Sequence, residues 1–134
     1  MDATRRARLQ SVILEEISTL ISRELKDPRI PVLTLTKVDV TDDGQQATIF
    51  FSILETPQTE PLNEAEEKAR ALRLRNCLEG LKAASGFLRR HLAKALSVRH
   101  IPVLIFKEDV GLANSIRVHE LLKQLEKEKV ENSQ

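Results

Sequence analysis

The sequence predicts a two-layer α+β domain, with helices on one layer and a small sheet on the other. Three patterns carry that expectation. Apolar residues recur at intervals of three and four in several long stretches. Two runs of period two flank Asp42-Asp43-Gly44, and a short dense apolar run lies at Ile101–Phe106. A chain of 134 residues with 41% hydrophobic and 31% charged residues, 4 Gly and 5 Pro has ordinary globular composition, which excludes collagen-like, disordered and linker-rich architectures. One domain is expected over residues 1–125, with 126–134 as a charged, flexible tail.

The elements follow in order. Between Thr4 and Leu25, the residues Leu9, Ile13, Ile17, Leu20 or Ile21, and Leu25 share one helical face, while Arg5, Arg8, Glu15, Ser18 and Ser22 lie elsewhere. Asp27-Pro28 ends this helix, because proline lacks an amide hydrogen and drives the preceding residue out of helical dihedrals. Val32, Thr34, Thr36, Val38 and Val40 alternate, and after the turn Ala47, Ile49, Phe51 and Ile53 alternate again, which predicts an antiparallel strand pair. A polar connector, Thr56 to Asn63, leads to a second helix carrying Ala71, Leu74, Leu78 and Leu81. Its periodicity stumbles at Ala84-Ser85-Gly86 and resumes through Leu88, Leu92 and Leu96. Glycine weakens a helix and serine competes for its hydrogen bonds, so a kink between two helices is expected. Ile101–Phe106 reads as a third strand buried on both faces, and Ala113 to about Lys129 as a final helix bearing Ile116, Val118, Leu121, Leu122 and Leu125. The order is α, β, β, α, kink, α, β, α, and the sequence leaves the strand order open.

Lys plus Arg total 21 and Asp plus Glu 20, so the net charge of +1 names no partner. Its distribution is more informative. No acidic residue occurs from Gly80 to Lys107, where Lys82, Arg89, Arg90, Lys94, Arg99 and Lys107 are basic and His91 and His100 are interspersed; Glu55–Glu67 holds five glutamates and no base. Such segregation predicts one face for a polyanion and one for solvent. The plain alternative is a basic helix face that only meets water.

Catalytic chemistry is sparse. His91, His100 and His119 have no partner at metal-ligand spacing, so no metal is expected. Cys77, the single cysteine, excludes an internal disulfide and reads as a small hydrophobe in a reducing compartment. Asp39–Gly44 looks like the opening of a calcium loop, yet its third position is Thr41 and its twelfth Phe50, so a strand turn is expected. Four scattered glycines make no phosphate-cradling loop, and no acid–base or nucleophile constellation emerges. Neither an enzyme nor a cofactor nor a small-molecule substrate is therefore expected. No apolar run approaches the roughly 18 residues of a membrane span, and Met1–Gln10 lacks a signal-peptide core, which favours a cytoplasmic protein with no membrane contact. With four phenylalanines and no Trp or Tyr, an aromatic stacking platform is poorly supported and phosphate contact is favoured. Arg90 and Lys94 share a face of the expected third helix, Arg89 borders it, and a helix start just after Gly86 would offer free amides to a phosphate.

An α-β-β-α-α-β order with a small-residue break resembles the type II KH topology, in which a Gly-x-x-Gly loop clamps nucleic acid backbone. No Gly-x-x-Gly occurs here. Instead Arg23-Glu24-Leu25-Lys26-Asp27-Pro28-Arg29-Ile30, then Ala84-Ser85-Gly86-Phe87-Leu88-Arg89-Arg90, then Ile116-Arg117-Val118-His119-Glu120-Leu121-Leu122 resemble the ribosome-binding factor A family, in order, across about Arg5 to Leu122. The resemblance implies an Ala-x-Gly interhelical kink at Ala84, Ser85 and Gly86 in place of the KH loop. It also implies a non-catalytic assembly factor that binds the small (30S) ribosomal subunit and assists late maturation of 16S rRNA, especially at low temperature. Two regions depart from the family pattern: Thr56 to Lys82, which looks longer and more acidic, and the tail after Leu122.

The expected RNA-binding residues are Lys82, Ala84, Ser85, Gly86, Arg89, Arg90, Lys94 and Arg99, in a monomer whose partner is the small subunit and its rRNA. The alternative is a protein interaction or dimerisation module without direct RNA contact. At Gly86 the resemblance implies a positive φ or a close approach of another segment or of RNA, so that Gly86→Ala lowers subunit affinity by at least about tenfold.

Overall fold

Asp2 opens the first helix: its carboxylate accepts a hydrogen bond from the Thr4 amide at 2.8 Å, satisfying one of the amides that every helix start leaves free. The computed structural model describes residues 1–55, 60–110 and 127. Helix α1 spans Ala3–Arg23 and buries Leu9, Ile13, Ile17, Leu20 and Ile21, the stripe expected from the spacing. After Glu24 the chain turns at Asp27–Ile30. There the Arg29 guanidinium grips the Asp27 carboxylate (Nη2 to Oδ2 2.7 Å, Nε to Oδ1 3.0 Å) and the Ile30 amide donates to the Asp27 carbonyl at 3.0 Å.

Strands β1 (Leu33–Val40) and β2 (Gln46–Ile53) pair antiparallel, as the alternation predicts. Gly44 takes a φ of 71° in the turn, where the absence of Cβ removes the usual strain, and its amide bonds the Thr41 carbonyl at 2.9 Å. Asp43 Oδ1 accepts from Thr41 Oγ1 at 2.7 Å and from the Gln45 amide at 3.0 Å, so this acidic run serves as a strand turn. On β2 the odd positions Ala47, Ile49 and Phe51 are fully buried. On β1 the even-numbered alternation does not survive. A bulge between Leu35 and Lys37 shifts the register, so Leu35 faces the core before it and Val38 and Val40 after it, while Val32, Thr34 and Thr36 are exposed. One extra residue in a strand moves every later side chain to the other face.

The two helices expected on either side of Ala84-Ser85-Gly86 are one. Helix α2 runs unbroken from Glu64 to Ala95, 32 residues or about 48 Å, so no interhelical break exists there and no helix starts after Gly86. The reason is energetic. An interior glycine costs only about 1 kcal/mol, whereas Leu81, Leu88 and Leu92 are each fully buried on this helix, and one buried leucine is worth roughly 1.5–3 kcal/mol. Ser85 is also harmless: its hydroxyl donates to the Lys82 carbonyl at 2.7 Å, leaving the amides to the helix. Asn63 caps the N-terminus by accepting from the Glu66 amide at 2.8 Å, and Glu64, Glu66 and Glu67 sit at the positive end of the helix dipole with Lys94 at the negative end.

Strand β3 (Val103–Glu108) lies parallel to β2, from Gln46 against Val103 to Phe51 against Glu108, which gives the sheet order β1-β2-β3. The expected burial of this strand on both faces is not found. Leu104 is buried, but Val103 is 51% exposed and Lys107 is exposed. The core cluster joins α1 and α2 to one side of the sheet, and no described element covers the other side. The expected final helix, Ala113 to Lys129, lies outside the described residues apart from Lys127. Among the described residues no helix is long and apolar enough to cross a membrane.

Candidate nucleic-acid interface

Burial of Cys77, Gly80, Leu81, Leu88 and Leu92 fixes which side of α2 faces the core and hence which side faces out. Residues four apart on a helix form a row. Lys82, Gly86, Arg90 and Lys94 are such a row, all exposed, spanning about 18 Å. Lys82, Arg90, Lys94 and Arg99 have no ion-pair partner among the described residues. Arg6, Arg29, Lys37, Lys68, Arg70 and Arg73, in contrast, are each paired with a carboxylate at 2.7–3.7 Å. Arg99 is exposed in the segment after α2.

Ala84, Ser85 and Arg89 have contacts within the fold. Ala84 is half-buried against the core, and Ser85 is half-buried with its hydroxyl on the Lys82 carbonyl. The Arg89 guanidinium donates from Nη2 to the Ile101 carbonyl at 2.9 Å and from Nε to the Pro102 carbonyl at 3.2 Å, tying α2 to the start of β3. Gly86 is exposed, with no positive φ. A Cβ placed there would meet only Arg90 Nη1, at an ordinary 3.7 Å, so no part of the fold requires a glycine at this position.

Within α2, the glycine that the fold does require is Gly80, which is absent from the expected set. A Cβ there would stand 2.8 Å from Ile30 Cγ1, 3.3 Å from Asp27 Oδ2 and 3.4 Å from Arg29 Cβ. The Asp27–Ile30 corner thus rests directly on the α2 backbone. No local signal marks this, because the contact joins residues 50 positions apart. A second feature was legible only as spacing: Phe87 and His91, four apart and both half-buried, place their ring centroids 4.5 Å apart at an interplanar angle of 57°.

Near the other end of α2 the character reverses. A depression of about 320 Å³ is lined by Thr36, Ser52, Ile53, Glu55, Arg70, Glu108 and Asp109. Its ionised groups already have partners within the fold: Arg70 Nε lies 3.3 Å from Glu55 Oε1 and its Nη2 3.7 Å from Glu108 Oε2, and the Thr36 hydroxyl donates to Asp109 at 2.6 Å. Arg70 and Arg90 are 20 residues apart on one helix, about 30 Å, so α2 holds acid-rich and base-rich ends well apart. Burial pushes the Cys77 thiol up to about 11, with Glu108 adding to the shift, which makes it a poor nucleophile near neutrality. Among the described residues no group of three His, Cys, Asp or Glu side chains could hold a metal ion.

The family described as ribosome-binding factor A matches residues 5–122. Ribosome-binding factor A of Thermomicrobium roseum is 37% identical over 129 residues, covering 96% of this chain and 89% of that protein. Its counterpart in Geobacter sulfurreducens is 38% identical over 125 residues, covering 93% and 94%. In structure, the chain is similar to a solution structure of a Thermotoga maritima protein (TM-score 0.59, 30% identity, 84% of this chain and 93% of that one). The crystal structure of ribosome-binding factor A from Thermus thermophilus shares the fold (TM-score 0.58, 22% identity, 77% and 93% covered). A match from residue 5 to residue 122, joined to relatives that span nine-tenths of the chain, settles the family: this chain belongs to the ribosome-binding factor A family.

Proposed function

We propose that this chain is a non-catalytic, cytoplasmic assembly factor that binds the small ribosomal subunit as a monomer by gripping rRNA phosphates, and assists late maturation of 16S rRNA, notably at low temperature. Its family membership supports the ribosome as target, since its relatives carry that partner in their name. The observation that carries the RNA contact is the row Lys82, Gly86, Arg90 and Lys94: three cations with no ion-pair partner among the described residues, on one exposed helix face, in a stretch with no acidic residue from 80 to 107. Arg99 extends the set. Ser85 borders it, whereas Ala84 and Arg89 support it from the side of the fold. Residues 1–125 form the RNA-binding domain in this reading, KH-like in element order, with one long α2 standing where the type II topology has two helices.

The test is a salt titration of binding to purified small subunits. Lys82→Gln, Arg90→Gln and Lys94→Gln together should shrink the log–log salt slope by about 2 to 3, roughly one counterion per lost phosphate contact, with little change in stability. An unchanged slope removes this face from the interface. The protein-module alternative draws on Val32 and Leu54, adjacent through a Leu54 amide to Val32 carbonyl bond of 3.0 Å and both more than 70% exposed. It requires salt-insensitive binding.

A further inference from the structure

The basic row is bordered by rings, and this extends the RNA-binding reading on which it rests. Phe87, Arg90, His91 and Lys94 lie three and four apart, which places them along one flank of α2. Phe87 packs partly on the core, which fixes its ring in place, and His91 leans on it with centroids 4.5 Å apart; both residues remain partly exposed. Just before Phe87, Gly86 adds no side chain on the exposed side, and only the end of the Arg90 side chain would stand in contact with a Cβ there, at 3.7 Å. A duplex offers phosphates and a 2′-hydroxyl surface to such a face, but its bases are already stacked on one another. An unpaired nucleotide brings both a phosphate for Arg90 or Lys94 and a free base face for a ring.

We infer that Phe87 and His91 form a stacking site for an unpaired base, so that the α2 face selects single-stranded RNA over duplex. The ring pair is held by the fold before binding, so little side-chain freedom is lost when a base arrives. Stacking reads no sequence, and the preference is for strandedness rather than for a particular base.

The chain has no Trp and no Tyr, so a fluorescent base analogue in a short RNA can be read without interference from the protein. Wild-type chain is titrated against that single strand and against the same strand annealed to its complement. The expected result is tighter binding to the single strand, with analogue emission quenched on binding. Phe87→Leu and His91→Leu should each weaken single-strand binding by at least about fivefold and abolish the quenching, while duplex binding and the salt slope stay as in wild type. Phe87 also touches the core, so thermal unfolding accompanies each variant, and His91→Leu decides the matter if Phe87→Leu is unstable. Salt-sensitive RNA binding that ignores both leucine variants overturns the stacking site alone. Failure of the wild-type chain to bind either RNA at low salt overturns the RNA reading and the stacking site with it.

Discussion

The two glycines of α2 should respond in opposite directions to the same added methyl. In an ordinary helix Gly→Ala gains about 1 kcal/mol, from lost backbone freedom in the unfolded chain. At Gly86 nothing opposes that gain: the nearest atom to a new Cβ is 3.7 Å away at the end of the flexible Arg90 side chain. Gly86→Ala should therefore be more stable by about 1 kcal/mol, or roughly 4 °C in thermal midpoint for a domain of this size. At Gly80 the methyl enters the space of Ile30 Cγ1 at 2.8 Å, with Arg29 Cβ behind it at 3.4 Å, both close to backbone and unable to swing away. Overpacking of this kind costs about 1–3 kcal/mol, so after the same gain Gly80→Ala should lose about 1 kcal/mol. Urea denaturation followed by circular dichroism measures both, with unchanged slopes as the check that two-state unfolding persists. A destabilised Gly86→Ala would refute an unstrained helix at that position. A Gly80→Ala gaining the full 1 kcal/mol would refute the contact with the Asp27–Ile30 corner. Subunit binding adds a third reading: if RNA lies against the bare backbone at Gly86, the more stable variant binds at least about tenfold more weakly, and equal affinity removes Gly86 from the interface.

Arg89→Ala should cost about 1–2 kcal/mol by leaving the Ile101 and Pro102 carbonyls without their donor, and it should leave the salt slope of RNA binding unchanged. Ile17, fully buried in α1, should lose about 2–5 kcal/mol on Ile17→Ala in the same denaturation assay; a loss below about 1 kcal/mol would show that α1 does not pack as described. The Asp27 carboxyl is held below its ordinary value, chiefly by its side-chain bond to Arg29. Its contribution to stability is therefore complete above the unfolded carboxylate pKa and is lost as pH falls through the lowered folded value. Asp27→Asn should narrow the gap between urea midpoints measured near neutrality and near about pH 3, and an unaltered gap would remove Asp27 from the acid response.

The sequence alone determined the features that depend on short-range physics. The apolar stripe of α1, the Asp-Asp-Gly turn and the inward odd face of β2 all follow from periods of 3.6 and 2 and from glycine dihedrals, which act over a few residues, whereas α1 ends at Arg23, ahead of the Asp27-Pro28 pair expected to stop it. The acid-free stretch from 80 to 107 was equally plain, and so were three ordered motifs of the family. Tertiary structure decided what depends on a partner distant in the chain. Whether Ser85 and Gly86 break α2 is a contest between a local cost near 1 kcal/mol and burial of Leu81, Leu88 and Leu92, and burial wins. The bulge at Thr36 follows from pairing with β2, the exposure of Val103 from the described helices lying on one side of the sheet, and the engagement of Arg89 from the position of the Ile101 and Pro102 carbonyls. Gly80 is the sharpest case. Its need for a missing side chain comes from a corner 50 residues earlier in the chain, and only the packed fold brings that corner to within van der Waals contact of the helix.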